Sequence, residues 1–249
     1  MDTIKIDKNN VKLIAHRGVS GIERENTAAA FVAAGNRSYY GIETDVHVTK
    51  DGKFVIIHDD DTQRVYGEAF SVEGSDFSLL RSLRLTDKNG EKREDLCLPE
   101  PGEYLRICKT YNKIAVLELK NQMPEKQIRE IYEVIKKEYH LEKMIFISFC
   151  YENLAVLRSM DSAVRIQLLT SEEVSKKLIE ALKKYNLGLD IYYERLTAEN
   201  VKELKQNGIA VNCGIFTSLP SYTASLYRGS LISRKFFMFI VFSLAAYDA

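Results

Sequence analysis

Gly41-Ile42-Glu43-Thr44-Asp45-Val46-His47-Val48 and, five residues later, Phe54-Val55-Ile56-Ile57-His58-Asp59 form the stretch whose reading decides the fold. Its first half alternates. On a strand, Glu43, Asp45 and His47 fall on one face and Ile42, Thr44 and Val46 on the other. The link Thr49-Lys50-Asp51-Gly52-Lys53 is too short for a parallel crossover, which takes a dozen or more residues. Asp51-Gly52 is instead a hairpin signal. Phe54–Ile57 is therefore expected to run back antiparallel to the second strand, as an excursion above the sheet rather than a barrel strand.

Outward from this hairpin, apolar strand-like runs alternate with helix-like segments, the pattern of a parallel α/β sheet. The expected strands are 12–15, 41–46, 114–119, 144–149, 165–169, 189–193 and 209–213. The expected helices are 27–34, 103–111, 124–138, 151–160, 171–185 and 198–206. Asn26 or Thr27 can cap the first, and Thr197 with Asn200 can cap the last. Gly188 and Gly208 sit where helices should stop. Without the hairpin return there are seven parallel strands, so an eighth must come from 214–249, where Met238–Phe242 is the best candidate. No amphipathic helix precedes it, and the sequence leaves closure of the barrel open.

The 249 residues are 45% hydrophobic and 28% charged, a globular composition in the size range of one α/β barrel. Lys+Arg and Asp+Glu both number 35. That balance gives no general attraction to nucleic acid or to acidic membranes. Cys97, Cys108, Cys150 and Cys213 contain no close pair, which argues against a zinc site or disulfide framework and for a reducing compartment. The first ten residues lack the apolar stretch of a signal peptide, so a cytoplasmic protein is expected. Phe236–Ala246 is apolar but spans only about half a bilayer core as a helix. It reads as a buried strand or helix in preference to a membrane-surface anchor, and no stable membrane insertion is expected.

Chemistry-bearing residues gather at strand ends. Leu13-Ile14-Ala15 runs into His16-Arg17-Gly18, where an imidazole can move a proton and a guanidinium can grip an oxyanion. Alone, this is better explained by an ordinary strand-ending turn. Glu43 and Asp45 would point into a barrel lumen, where two like charges are costly unless a cation lies between them. Ile114-Ala115-Val116-Leu117-Glu118-Leu119-Lys120 brings a third carboxylate on the neighbouring strand, with Lys120 beside it to hold a phosphate oxygen. Oxygen ligands suit a hard ion, Mg²⁺ or Ca²⁺. The hairpin return carries His58 toward the mouth where His16 sits. Asp59 either orients His58 or caps the next turn. His47 is expected to be structural or solvated, His140 to lie at the surface, and the cysteines to have no chemistry.

The ordered set His16-Arg17-Gly18, Glu25-Asn26-Thr27, Glu43-x-Asp45-Val46, Thr49-Lys50-Asp51-Gly52, His58-Asp59, Glu118-x-Lys120 and Ser148-Phe149 resembles the glycerophosphodiester phosphodiesterases, over about 11–213. The resemblance implies one domain, 1–249, with a TIM-type (β/α)8 barrel fold and a small insertion after the second strand at about 59–100. It implies hydrolysis of a small-molecule glycerophosphodiester to glycerol 3-phosphate and an alcohol with a divalent cation, Ca²⁺ or Mg²⁺. Carried onto this chain, the metal carboxylates are Glu43, Asp45 and Glu118. The catalytic histidines are His16 and His58, with His16 favoured as base and His58 as acid. The phosphate contacts are Arg17 and Lys120. Asn26 is expected to be structural, holding the loop behind His16.

The likeness stops near Cys213. The family's Trp-Thr-Val-Asn-like continuation is absent and the chain has no Trp. The atypical segment 214–249 suits a shifted reading frame or a recombined end, and the insertion is short for a leaving-group pocket. Two further readings stay open: a lysophospholipase-D-like phosphodiesterase acting on a lipid-bearing substrate, and a non-catalytic or poorly folded barrel.

Overall fold

The computed structural model describes residues 2–6, 12–214 and the backbone of 240–244. Seven parallel strands alternate with helices. In chain order these are β1 (Lys12–Ala15), α1 (Ala28–Gly35), β2 (Gly41–Val48), the short β3 (Phe54–Ile56), α2 (Gln63–Tyr66), α3 (Phe77–Ser82) and α4 (Pro101–Thr110). There follow β4 (Ile114–Leu119), α5 (Glu125–Glu138), β5 (Met144–Ser148), α6 (Tyr151–Met160), β6 (Arg165–Thr170), α7 (Lys176–Lys184), β7 (Gly188–Tyr192), α8 (Ala198–Gln206), β8 (Val211–Gly214) and β9 (Ile240–Leu244). The sheet order is β1-β9-β8-β7-β6-β5-β4-β2-β3, and β1 also pairs with β2, so the sheet curls back on itself.

Period-two alternation sorts the strand side chains into two layers. Ile42 and Val46 of β2, Ala115, Leu117 and Leu119 of β4, and Met144 and Phe146 of β5 join the outer core against the helices, where Phe31, Tyr104, Ile128 and Ile131 meet them. Ile14, Val116, Ile145, Ile147 and Leu169 form a separate cluster inside the curl. Glu43, Asp45 and Glu118 alternate with the outer set and so share the inner face. Tyr104 pins the two strands that carry them, its hydroxyl donating to Ile42 O at 2.7 Å and Val116 O at 3.2 Å.

Local signals set the helix starts. Thr27 caps α1 by accepting from Ala30 N, and Thr197 and Asn200 form a reciprocal capping box on α8. In α5, Ile128, Ile131, Tyr132 and Ile135 recur at helical spacing and are buried, while Lys136 and Lys137 occupy the last turn, where cations suit the helix dipole. β3 pairs antiparallel with β2, Val46 opposite Ile56 and Val48 opposite Phe54, as the Asp51-Gly52 turn predicts. Between β3 and α4 the chain builds its own buried cluster, which includes Val65, Val72, Leu80, Leu85 and Leu96.

Three expectations are corrected. The strand in the C-terminal segment is Ile240–Leu244, and it runs antiparallel to both neighbours, with Lys12 opposite Ser243 and Val211 opposite Leu244. An antiparallel strand starts at the end of the sheet where β8 finishes, so no crossover helix is required. Met238 and the rest of 215–239 lie outside the described residues, as do 245–249 and the side chains of β9. Second, α7 begins five residues later than the sequence pattern suggests, because Ser175 caps it by accepting from Leu178 N. Third, Gly188 opens β7 instead of stopping α7; Asn186, at φ 49°, makes that turn. Gly188 is required by a close approach, since a Cβ there would sit 2.9 Å from Gln167 Cγ and 3.1 Å from Ala210 O. Gly208, at φ 71°, does follow α8 as a helix stop. Among the described residues, no helix is long and apolar enough to cross a membrane.

Candidate active site

The turn after β1 sets up the site. Arg17 and Gly18 both take positive φ, 55° and 75°. This is uncommon for a non-glycine residue and persists where surrounding contacts fix it. Two do so here: Arg17 N donates to Glu43 Oε2 at 2.8 Å, and Asn26 N donates to Arg17 O at 3.0 Å. Gly18 packs so tightly on α1 that a Cβ would lie 2.6 Å from the Ala30 carbonyl carbon. The loop is thereby fixed at both ends, with His16 at the mouth and its Nε2 4.0 Å from Glu43 Oε2.

Glu43, Asp45 and Glu118 are brought together. One carboxylate oxygen from each lies within 4.8 Å of the others, and all three residues are buried. β2 and β4 pair in parallel with Asp45 opposite Glu118, which explains the convergence. Burial, then the charge of Asp45, pushes the Glu43 carboxyl well above the usual range and the Glu118 carboxyl up to about 8. Asp45 goes the other way. Burial opposes its charge, but Arg17, His58 and Lys120 outweigh that and hold it well below the ordinary value. Its Oδ2 accepts from Asn26 Nδ2 at 2.8 Å and lies 3.4 Å from Arg17 Nε. Its buried Oδ1 accepts no hydrogen bond. A buried carboxylate oxygen without a donor, beside two carboxyls that resist ionisation, fits a hard divalent cation.

Lys120 Nζ stands 2.9 Å from Glu118 Oε1 and 3.8 Å from Asp45 Oδ1. Arg17 Nη1 donates to Glu25 Oε1 at 2.9 Å. Both cations thus line the acidic cluster. His58 lies within the same field: burial lowers its pKa, Asp45 raises it, and Arg17 and Lys120 lower it again. Asp59 orients the ring, with Oδ1 2.6 Å from His58 Nδ1. A carboxylate there favours the tautomer with the proton on Nδ1, which makes Nε2 the acceptor nitrogen of the neutral ring. His16 is pushed down to about 3 by burial and then by Arg17, so its imidazole is neutral.

Further residues support the site, and of these Arg64 carried no sequence signal of its own. Asn26, at φ 54°, bridges β2 by donating to Asp45 and accepting from Thr44 Oγ1 at 2.8 Å, so it orients a carboxylate as well as holding the loop. His47 is fully buried, its Nε2 donating to the His58 carbonyl at 3.3 Å and its Nδ1 3.2 Å from Glu73 Oε1. This is a structural role, and the ring is not solvated. Arg64 contacts Asp59 and Glu25, although its partner Glu25 is 39 residues away. Ser148 Oγ supports the loop after β4 by donating to Leu119 O at 2.7 Å. His140 is exposed beside Glu142, as expected. Among the described residues, the cysteines form no disulfide.

The glycerophosphoryl diester phosphodiesterase family model matches residues 16–213. A glycerophosphodiester phosphodiesterase of Caldanaerobacter subterraneus subsp. tengcongensis is 32% identical over 207 residues, covering 79% of this chain and 82% of that protein. A phosphodiesterase of Oleispira antarctica, solved in complex with the product sn-glycerol-3-phosphate, superposes with a TM-score of 0.74 at 27% identity, over 80% of this chain and 81% of that one. A glycerophosphodiester phosphodiesterase of Thermotoga maritima gives 0.65 at 25% identity, over 82% and 85%.

Proposed function

The chain belongs to the glycerophosphoryl diester phosphodiesterase family, and from that premise we propose that it hydrolyses glycerophosphodiesters to sn-glycerol 3-phosphate and an alcohol, using two histidines and a divalent cation. The observation that carries the cation is the buried trio Glu43, Asp45 and Glu118 with the donorless Asp45 Oδ1. These residues would hold Ca²⁺ or Mg²⁺, and the ion supplies positive charge to the phosphate oxygens. Arg17 and Lys120 would bind the remaining oxygens and stabilise the charge that builds in the transition state. In doing so Lys120 exchanges its present partner Glu118 for the substrate, while Arg17 keeps Glu25 through Nη1 and turns its other donors to the phosphate.

His16, neutral at its depressed pKa, would accept the proton of the attacking hydroxyl, whether water or the substrate's own glycerol 2-hydroxyl. His58, held through Nδ1 by Asp59, would present Nε2–H to the departing alkoxide. An anionic phosphodiester beside the ring favours its protonated form. Segment 59–100 acts as part of the same unit by supplying the partner that holds His58. The lack of disulfides supports a cytoplasmic setting.

The test is release of glycerol 3-phosphate from glycerophosphocholine and, in parallel, of lysophosphatidate from lysophosphatidylcholine by the purified protein, with EDTA and with Ca²⁺ or Mg²⁺ restored. EDTA abolishes turnover and either ion restores it. His16→Ala and His58→Ala each lose roughly 10²- to 10⁴-fold in kcat while keeping the circular-dichroism spectrum. Near-parental turnover in either variant overturns the two-histidine scheme. Independently of activity, Ca²⁺ at 100 times its Kd stabilises the fold by about 2.7 kcal/mol in a thermal melt, and Glu118→Ala loses that shift. Equal melts with and without the ion refute the cation site.

A further inference from the structure

Three consecutive residues of the loop that carries His16 are tied to segment 59–100. Glu23 Oε2 lies 3.5 Å from Arg93 Nη1. Arg24 donates to Thr86 Oγ1 at 2.8 Å and also to the carbonyls of Thr86 and Asp87. Glu25 takes a two-pronged bond from Arg64, with Nη1 to Oε2 at 2.6 Å and Nη2 to Oε1 at 2.9 Å. The third tie goes further. Arg64 Nε donates to Asp59 Oδ2 at 2.6 Å, and the other oxygen of Asp59 holds His58 Nδ1 at 2.6 Å. Glu25 Oε1 also accepts from Arg17 Nη1 at 2.9 Å. An unbroken line of charge-assisted hydrogen bonds thus runs His58–Asp59–Arg64–Glu25–Arg17.

We propose that Arg64 is a positioning residue for the phosphodiesterase reaction, whose planar fork fixes the His58 imidazole relative to the Arg17 guanidinium. The inference rests on the function proposed above and adds a residue to it. Without Arg64, Asp59 has one partner and can swing with the His58 ring. Glu25 likewise keeps Arg17 but loses its tie to the far side of the mouth. A lysine at 64 keeps the charge but cannot present Nε and two Nη donors in fixed geometry. Arg64 is 44% exposed, so its ion pairs add little to global stability. Its value lies in geometry, where a displacement of about 1 Å costs on the order of 10²-fold.

The experiment compares Arg64→Ala, Arg64→Lys and, as a tie that stops short of a histidine, Arg93→Ala. Both Arg64 variants lose roughly 10- to 100-fold in kcat with KM changed less than about threefold. Millimolar guanidinium partly restores Arg64→Ala and leaves Arg64→Lys unimproved, and Arg93→Ala stays within about twofold of the parent. An activity-independent arm records the imidazole N–H resonances. The His58 Nδ1–H signal, assigned by its loss in His58→Ala, shifts or broadens in both Arg64 variants and is unmoved in Arg93→Ala. Parental kcat in Arg64→Lys, or an unmoved His58 signal in Arg64→Ala, overturns the proposal. A wild-type protein that releases no glycerol 3-phosphate refutes the assigned function, while the resonance arm still decides whether Arg64 holds His58.

Discussion

Two fully buried aspartates on the inner face of one sheet behave in opposite ways. Asp45, on β2, is surrounded by Arg17, Lys120 and Asn26 and is held ionised. Asp190, on β7, is raised to about 7 by burial alone, and its Oδ1 has no hydrogen-bond partner. Its lateral neighbour in the sheet register is Asn212, whose Nδ2 donates to Gln167 Oε1 at 2.6 Å. Burial is common to both sites. What separates them is the placement of fixed positive charge, which a desolvated carboxylate needs before it can stay charged. The β1–β2–β4 side is built for ionic chemistry, and the β6–β7–β8 side is packed as a neutral polar layer.

Asp45→Asn strikes hardest at this contrast. It removes the anion that Arg17 and Lys120 face, and turnover falls at least about 10³-fold, or roughly 4 kcal/mol of transition-state stabilisation. Steady-state kinetics on glycerophosphocholine check this; a loss below tenfold would erase the functional difference between the two aspartates.

Asp190→Asn is the mirror test, read in stability. The folded-state pKa of Asp190 lies above its unfolded value near 3.8, so the folded state keeps a proton that the unfolded state releases. The resulting penalty is absent below pH 4, grows as pH rises to about 7, and then levels off. Asn carries no such penalty. Its stability relative to the parent therefore rises between pH 4 and 7, toward a ceiling of about 4 kcal/mol. Urea melts of both proteins across that range measure it, and a pH-independent difference would show that Asp190 is ionised in the fold. Gly188→Ala probes the packing of the neutral side. It forces a methyl against Gln167 Cγ and costs about 1–3 kcal/mol with kcat unchanged; a wild-type melting temperature would mean that the layer yields.

The ionic side was the more legible of the two in sequence. Alternation over Glu43-Thr44-Asp45, the Asp51-Gly52 turn and the apolar run ending at Glu118 each put a carboxylate or an imidazole at a predictable place, because strand period and turn chemistry are local. Arg64 could not be read, since its partner Glu25 becomes a neighbour only through the tertiary fold. Asp190 was hidden inside a strand that reads simply as apolar, and Gly188 resembled a helix stop until Gln167 stood across from it. The direction of β9 was equally opaque: an apolar run declares a strand but carries no arrow.

Position 17 divides its labour. The amide of Arg17 anchors Glu43, the carbonyl receives Asn26, and the left-handed bend belongs to the backbone; the guanidinium takes no part in the turn and pairs with Glu25. Because that conformation is one glycine adopts freely, the side chain can be exchanged during divergence without redrawing the turn. Scaffold and reactivity there are separately heritable.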